Sequence, residues 1–363
     1  MDSFDINSIL LKMACPNNEL IPDSQGNPSV MVYIPKFKMN QVIGGGSDRT
    51  HPAFIVNGVE RDGFYISKYQ NTDVAGTGYS LPAAVPCNCV GIELSHEKCN
   101  AKGVGWHLTT VQEWGAIALW CKRNGHLPRG NNNRGRDRRE EMFKAIPVTN
   151  VENGIGRVLT GSGPLSWSHD NTVAGIWDLN GNLSEWVGGF RVVYGEFQVL
   201  PDNDGADLRN SQAAVSDAWR AIDAATGRYI VPDGSGTTKG SVKFDYIEDP
   251  MFGWSNKWRV VTEIKNRATQ TRRCDLSFIE CDEAIGAEAR ELLIAFGLIP
   301  DDPLYDYKEQ YAYLSNGSPE CFAYRGGFWG SGSFAGVFCW SCSFGREHTY
   351  EGNGFRAAYI PLG

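Results

Sequence analysis

The chain has 363 residues, 21% of them charged, and a formal net charge of −8. This length fits two ordinary domains or one large irregular one, while the scattered Lys and Arg exclude the concentrated basic surface that nucleic acid needs. With 42 glycines and 11 tryptophans, the composition suits a loop-rich fold in which tight turns and buried rings replace long regular elements. No apolar run approaches the roughly 18–20 residues of a membrane span, and MDSFDINSILLKMAC lacks a basic segment followed by a long apolar core. The expectation is a chain made in the cytoplasm without a signal peptide and without membrane insertion. Its ten cysteines then read as buried small hydrophobes rather than a disulfide framework. The close pairs Cys87/Cys89 and Cys339/Cys342 lack the matched halves and nearby histidines of a zinc ribbon.

Residues 1–27 are polar apart from Ile9, Leu10 and Leu11, and read as a peripheral N-terminal arm able to dock on a partner. Strands are expected over 30–37 and 64–69 from β-branched and aromatic content, followed by a Pro- and Cys-containing loop to about Gly105. Thr110-Val-Gln-Glu113 is a capping box; Trp114, Ile117, Ala118 and Cys121 recur at helical spacing and Gly125 supplies the stop. Arg129 to Glu141 opens with RGNNNRGRD and reads as a long solvated loop. From Gly175 to Arg191 turn residues alternate with aromatics. A short helix is expected around 213–221, with Pro232-Asp-Gly-Ser-Gly as a turn between strands. A second main helix follows Asp282, carries Ile285, Ala289, Leu292, Leu293 and Phe296 on one side, and ends at Gly297 and Pro300. Two main helices among short strands and long irregular loops give an α+β class.

Six segments in order, MVYIPKFKM, GFYISKYQNT, GWHLTTVQEWGAIA, GIWDLNGNLSEWVGG, YRGGFW and GFRAA, resemble the formylglycine-generating-enzyme/sulfatase-modifying-factor family. The resemblance implies a C-type-lectin-like fold of that subtype over 28–363, and it carries the fold rather than the activity. Oxidases of the family place a redox cysteine pair shortly after the RGG turn. By spacing from Arg325 those positions here hold Ser331 and Gly336, so the thiolates that would bind copper and attack substrate are missing. A copper oxidase is accordingly the disfavoured alternative.

The C-terminal stretch from Arg325-Gly-Gly-Phe-Trp-Gly-Ser-Gly-Ser-Phe-Ala-Gly-Val-Phe338 to Gly354-Phe-Arg-Ala-Ala358 resembles the variable region of diversity-generating-retroelement target proteins, as do PRGNNNRG, WSHDNTVAGIWDLNGN and the 219–246 segment. That resemblance implies a variable ligand-binding region over 321–358. Its structural frame would be Arg325, Gly326, Gly327, Trp329, Phe338, Gly354, Phe355 and Arg356, with the two arginines tying backbone carbonyls. The variable contacts would be Phe328, Gly330, Ser331, Phe334, Cys339, Trp340, Ser341, Ser343, Phe344, His348, Tyr350 and Gly352. Adenine-directed mutagenesis of Asn codons reaches Phe, Ser, Gly, His, Tyr and Cys without creating a stop. Trp340, Glu347 and Glu351 fall outside that set. Aromatics beside small residues are what paratopes use, since rings supply contact area at low entropy cost.

The function these readings imply is a receptor-binding or adhesion protein of phage or bacterial origin, not an enzyme. It would be displayed on a phage particle or cell surface, in a multimer if avidity is used, and would bind a variable protein or glycan on a host or target cell. The reverse transcriptase would act on the gene and not on the protein. A fixed structural virion protein is the remaining alternative. His348 stands apart from other ligand-type residues and reads as a contact, not a metal ligand or base. No cofactor is expected. Calcium near Asn180-Gly-Asn182-Leu-Ser-Glu185 is a weaker option, because only one carboxylate is present. Cys339 and Cys342 read either as variable positions or as a pair able to oxidise outside the cell.

Overall fold

The two ends of the chain meet in one sheet. A computed structural model describes residues 3–247, 257–268, 270–307 and 310–362. Its first sheet is antiparallel and runs Asn18–Pro22, Pro28–Pro35, Gly63–Ser67, Ala357–Tyr359, Trp106–Leu108, so the last strand of the chain is wedged between two early ones. The strand over Pro28–Pro35 forms where expected, and its partner lies inside the supposed arm: Asn18 faces Val32 and Pro22 faces Pro28. Asp23 closes the hairpin by accepting from the Gln25 and Asn27 amides at 2.9 and 2.8 Å. Residues 18–27 are therefore part of the sheet and not peripheral. Ahead of them, the helix Ser3–Ala14 leaves Leu10 and Met13 exposed.

Thr110 caps the helix Val111–Arg123 as its capping box requires. The hydroxyl of Thr110 accepts from the Glu113 amide at 3.2 Å, and the Glu113 carboxylate accepts from the Thr110 amide at 3.0 Å. The indole of Trp114 donates to the Val337 carbonyl at 2.7 Å and thereby fastens this helix to the C-terminal strands. The second expected helix is Ala287–Ala295; its face Ala289, Leu292, Leu293 is buried and Gly297 ends it at φ +65°. A further helix, Ile92–Asn100, lies in the stretch expected as loop. It buries Ile92, Ser95, Lys98 and Cys99, a face of mixed polarity without the apolar period that announces a helix. The helix expected around 213–221 does not form. Ser211 and Ser216 instead accept from the amides two residues on, a local bonding pattern that competes with helix, and Arg220–Ile222 is a strand.

A second sheet of twelve strands, counted among the described residues, carries the remainder. At its centre Tyr311–Leu314, Gly336–Phe344, Cys321–Gly326 and Ser184–Val193 lie side by side, and Asn353–Phe355 runs parallel to the last of these. Between the sheets and helices sits one large apolar cluster with Trp114, Trp258 and Trp340, and a smaller one with Trp106, Trp186 and Trp219. The class is mixed α+β, with few helices and many strands.

Buried histidines tie this core to neutral pH. The His51 ring accepts from the Ala53 amide at Nδ1 and lies 3.1 Å from the Ala295 carbonyl at Nε2, and burial pulls its pKa down to about 3. His169 accepts from the Ile176 amide at 2.8 Å, and burial pulls it to about 4. Unfolded, both titrate near 6.5, so the unfolded chain takes up protons that the folded one refuses. Their contribution to stability is present above about pH 6.5 and is lost as pH falls toward 4. His107 runs the other way: burial would lower its pKa, but Glu113, 2.9 Å away, raises it, so its contribution fades as pH rises. His96, pulled down by burial to about 4, acts in the same sense as His51 and His169, so three rings against one leave net acid destabilisation among these histidines. Urea unfolding between pH 7 and 4.5 is expected to show falling stability with net proton uptake on unfolding; a flat profile contradicts the assignment.

Candidate functional site

Strand register brings the C-terminal region together. Tyr324 faces Ser341 across one ladder, Tyr313 faces Ser341 across the next, and Ser184 faces Asn353. Residues directly opposite one another point to the same side of a sheet, so this side presents phenols, hydroxyls and an amide. The 327–335 turn and the 345–352 segment flank it and complete a cavity of about 260 Å³. Phe328 meets Tyr350 edge to face at 5.5 Å, and Phe334 packs its edge on Tyr311 at 4.8 Å.

Eight of the twelve expected contact residues line this cavity: Phe328, Gly330, Ser331, Phe334, Cys339, Trp340, Ser341 and Tyr350. Gly352 lies beneath the rings of Phe328 and Tyr350, both of which a Cβ there would meet. Ser343 sits beside the wall, its hydroxyl 3.2 Å from that of Ser341. Phe344 and His348 stack on each other at 3.7 Å, with Phe344 over Tyr324, and form a separate aromatic ledge. Trp340 is corrected in kind: its ring packs with Phe190 and Phe197 at 6.3 and 6.4 Å and is 2% exposed, so it is core whose inner edge the cavity reaches. Four lining residues were not singled out from sequence, namely Ser184, Tyr313, Tyr324 and Asn353. The alternation in Tyr311-Ala-Tyr313-Leu signals a strand, but nothing local says which sheet side it joins.

Cys339 and Cys342 are three residues apart on one strand and thus point to opposite sides. The Cys339 sulfur accepts from the Tyr311 amide at 3.2 Å, and burial pushes its thiol up to about 12. Cys342 is hydrogen-bonded to Cys321 instead, and both are fully buried. Of the two readings of Cys339 and Cys342, this geometry disfavours the oxidisable pair. All ten cysteines are free thiols.

The turn is held to its neighbours mainly by main-chain groups, with the Ser331 hydroxyl adding one bond inside it. Gly181 donates to the Gly326 carbonyl at 3.0 Å, Trp329 to Asn182 at 3.2 Å, Arg134 to Trp329 at 2.8 Å and Gly332 to Asn132 at 2.7 Å, all backbone to backbone. Two loops thus clamp the 326–332 turn. The RGNNNRGRD loop, expected to be solvated, is a buried scaffold: Asn131 and Asp137 are 0% exposed. Asn132 donates to Asn180 at 3.1 Å and Asn131 to Asn182 at 3.3 Å. The two loops approach so closely that a Cβ on Gly130 would collide with the Asn180 carbonyl. The side-chain oxygens of Asn180 and Asn182 accept these bonds. Asn182 accepts from the Val158 amide at 2.9 Å, and Glu185 is taken by Gln70 and Arg356.

Arg356 is fully buried. It donates twice to Glu185, and to the Ser67 and Trp177 carbonyls, all at 2.8 Å. Arg325, also fully buried, has a single carbonyl tie among the described residues, to Gly297 at 3.1 Å, and burial pulls its pKa down to about 9. Phe338 and Phe355 are core, and Trp329 and Gly354 are buried beside the turn. At the two positions where the oxidase cysteines would stand, the Ser331 hydroxyl accepts from the Phe328 amide at 3.0 Å, and Gly336 is packed so tightly against the Gln310 amide that a Cβ would collide with it.

No protein-family profile matches the chain, and no curated protein is significantly similar to it. Among solved structures, PvdO from Pseudomonas aeruginosa aligns over 94% of this chain and 97% of its own, with 12% identity and a TM-score of 0.37.

Removing one partner of a buried ion pair strands the other, at a cost of about 3–5 kcal/mol. Glu185→Gln and Arg356→Leu are each expected to lose stability of that order in chemical denaturation. In a double-mutant cycle the pair should be strongly non-additive. A loss below about 1 kcal/mol, the size typical of an exposed pair, would contradict the assigned role.

Proposed function

We propose that the chain is a ligand-binding display protein of phage or bacterial origin, with a C-type-lectin-like fold of the formylglycine-generating-enzyme subtype. In this reading 321–358 is a region diversified by a retroelement. It would meet a protein or glycan on a host or target cell while the chain is carried on a phage particle or cell surface. Display in several copies belongs to the same proposal, since multivalency turns weak single contacts into avidity.

One observation carries it. The turn that bears Phe328 and Gly330 is clamped through main-chain groups, so the side chains it presents to the cavity can change without loss of the clamp. A pre-formed backbone with exchangeable side chains is what a diversified binding site requires, because ordering the loop in advance lowers the cost of association. Binding is favoured over oxidase chemistry by the same geometry: Ser331 is engaged inside the turn, and the place of the second thiol is filled by Gln310.

Sequencing the 3′ end of the gene and its neighbourhood across a population of the source tests the proposal. The expected result is an adjacent reverse transcriptase, a near-copy template differing at adenines, and substitutions concentrated between Phe328 and Gly352 that spare Trp340. An invariant 3′ end with neither neighbour would contradict diversification and favour a fixed virion component.

A further inference from the structure

We infer that the ligand group seated in the cavity is a single neutral sugar ring. This rests on reading the cavity as the binding site, and it adds the chemical class of what enters. None of the lining residues is charged. The guanidinium of Arg273 lies nearby but over the Phe334 ring, 4.6 Å from its centroid, and is not part of the wall. A carboxylate or phosphate brought into this space would lose its hydration without gaining a counter-charge, which disfavours acidic ligands.

The wall combines ring faces with polar groups, which an aliphatic or phenyl anchor would use only in part. Tyr313, Tyr324 and Tyr350 each bring a ring and a phenol, and Ser184, Ser341 and Asn353 bring hydroxyls and an amide. Ser341 and Tyr324 already bond within the wall, but an apolar side chain would take the remaining groups from water and return no hydrogen bonds, at about 1–3 kcal/mol for each group left unpaired. A sugar ring meets both requirements. Its hydroxyls donate and accept around the edge, while its C–H faces lie on aromatic faces, whose quadrupole attracts the slightly positive hydrogens. About 260 Å³ is at the small end for ligand sites, which suits one ring and not an extended chain.

The test is saturation-transfer NMR on the full chain with glucose, galactose, mannose and N-acetylglucosamine, with glucuronate as the charged comparison, followed by titration calorimetry of any sugar that responds. At least one neutral sugar is expected to receive saturation and glucuronate none. Tyr313→Phe, which removes only the phenol, and Phe328→Ala, which removes a ring, should each weaken binding about tenfold, the equivalent of about 1.4 kcal/mol. Unchanged thermal melting of Tyr313→Phe separates lost contact from lost fold. Silence from all four neutral sugars, equal transfer to glucuronate, or affinity untouched by both variants overturns the inference. A diversified 3′ end combined with that silence would refute the sugar and leave the display reading intact. Sugar binding with an invariant gene would refute diversification and leave the sugar.

Discussion

The structure depends on one buried cation. Arg356 stands where the chain leaves Asn353–Phe355 in the large sheet and enters Ala357–Tyr359 in the small one. Its guanidinium joins Glu185 of the large sheet, Ser67 of the small sheet and the Trp177 carbonyl in one set of bonds. A charge at that depth costs far less when it is paired and fully hydrogen-bonded, and the four bonds of Arg356 hold the crossing in this geometry. Fixing it sets where Asn353 and Ser184 meet, and with them one wall of the cavity.

From that point outward, rigidity is built from main chain and asparagine. Asn180 and Asn182 bond to Asn132 and Asn131, and both loops then hold the 326–332 turn by its amides and carbonyls. Core demands end at Trp329, Phe338 and Trp340, which are buried, while Gly330, Phe344 and Tyr350 reach the surface. Close packing governs the frame, and with it the buried Cys339, Ser341 and Gly352, while Phe328, Gly330, Phe344 and Tyr350 form the adaptable part of the surface.

Much of this could be read in the sequence, and the misses have physical causes. The capping box at Thr110 and the periodic face after Asp282 are local signals, and both helices form. Only the second half of the hairpin over 18–35 is legible in sequence, because NELIP is too short to signal a strand before its partner is known. The NNN loop looks solvated by composition; burial there depends on a second Asn-rich turn some fifty residues away, which no local window contains. The neighbours of Trp340 in sequence suggest a contact, whereas strand alternation turns its ring toward Phe190 and Phe197. Tyr313 reaches the cavity only through a parallel pairing with Gly336–Phe344, a tertiary choice invisible in its own segment.

The separation of frame from contact surface is the central claim, and a saturation-mutagenesis library of the full chain sorted for protease resistance tests it most directly. The account predicts that substitutions at 328, 330, 334 and 350 are broadly tolerated, in line with surface positions, while Arg356, Glu185, Gly130 and Trp340 tolerate almost none. Equal intolerance at both sets would contradict it, because the rings of the cavity would then be part of the core that holds the fold together.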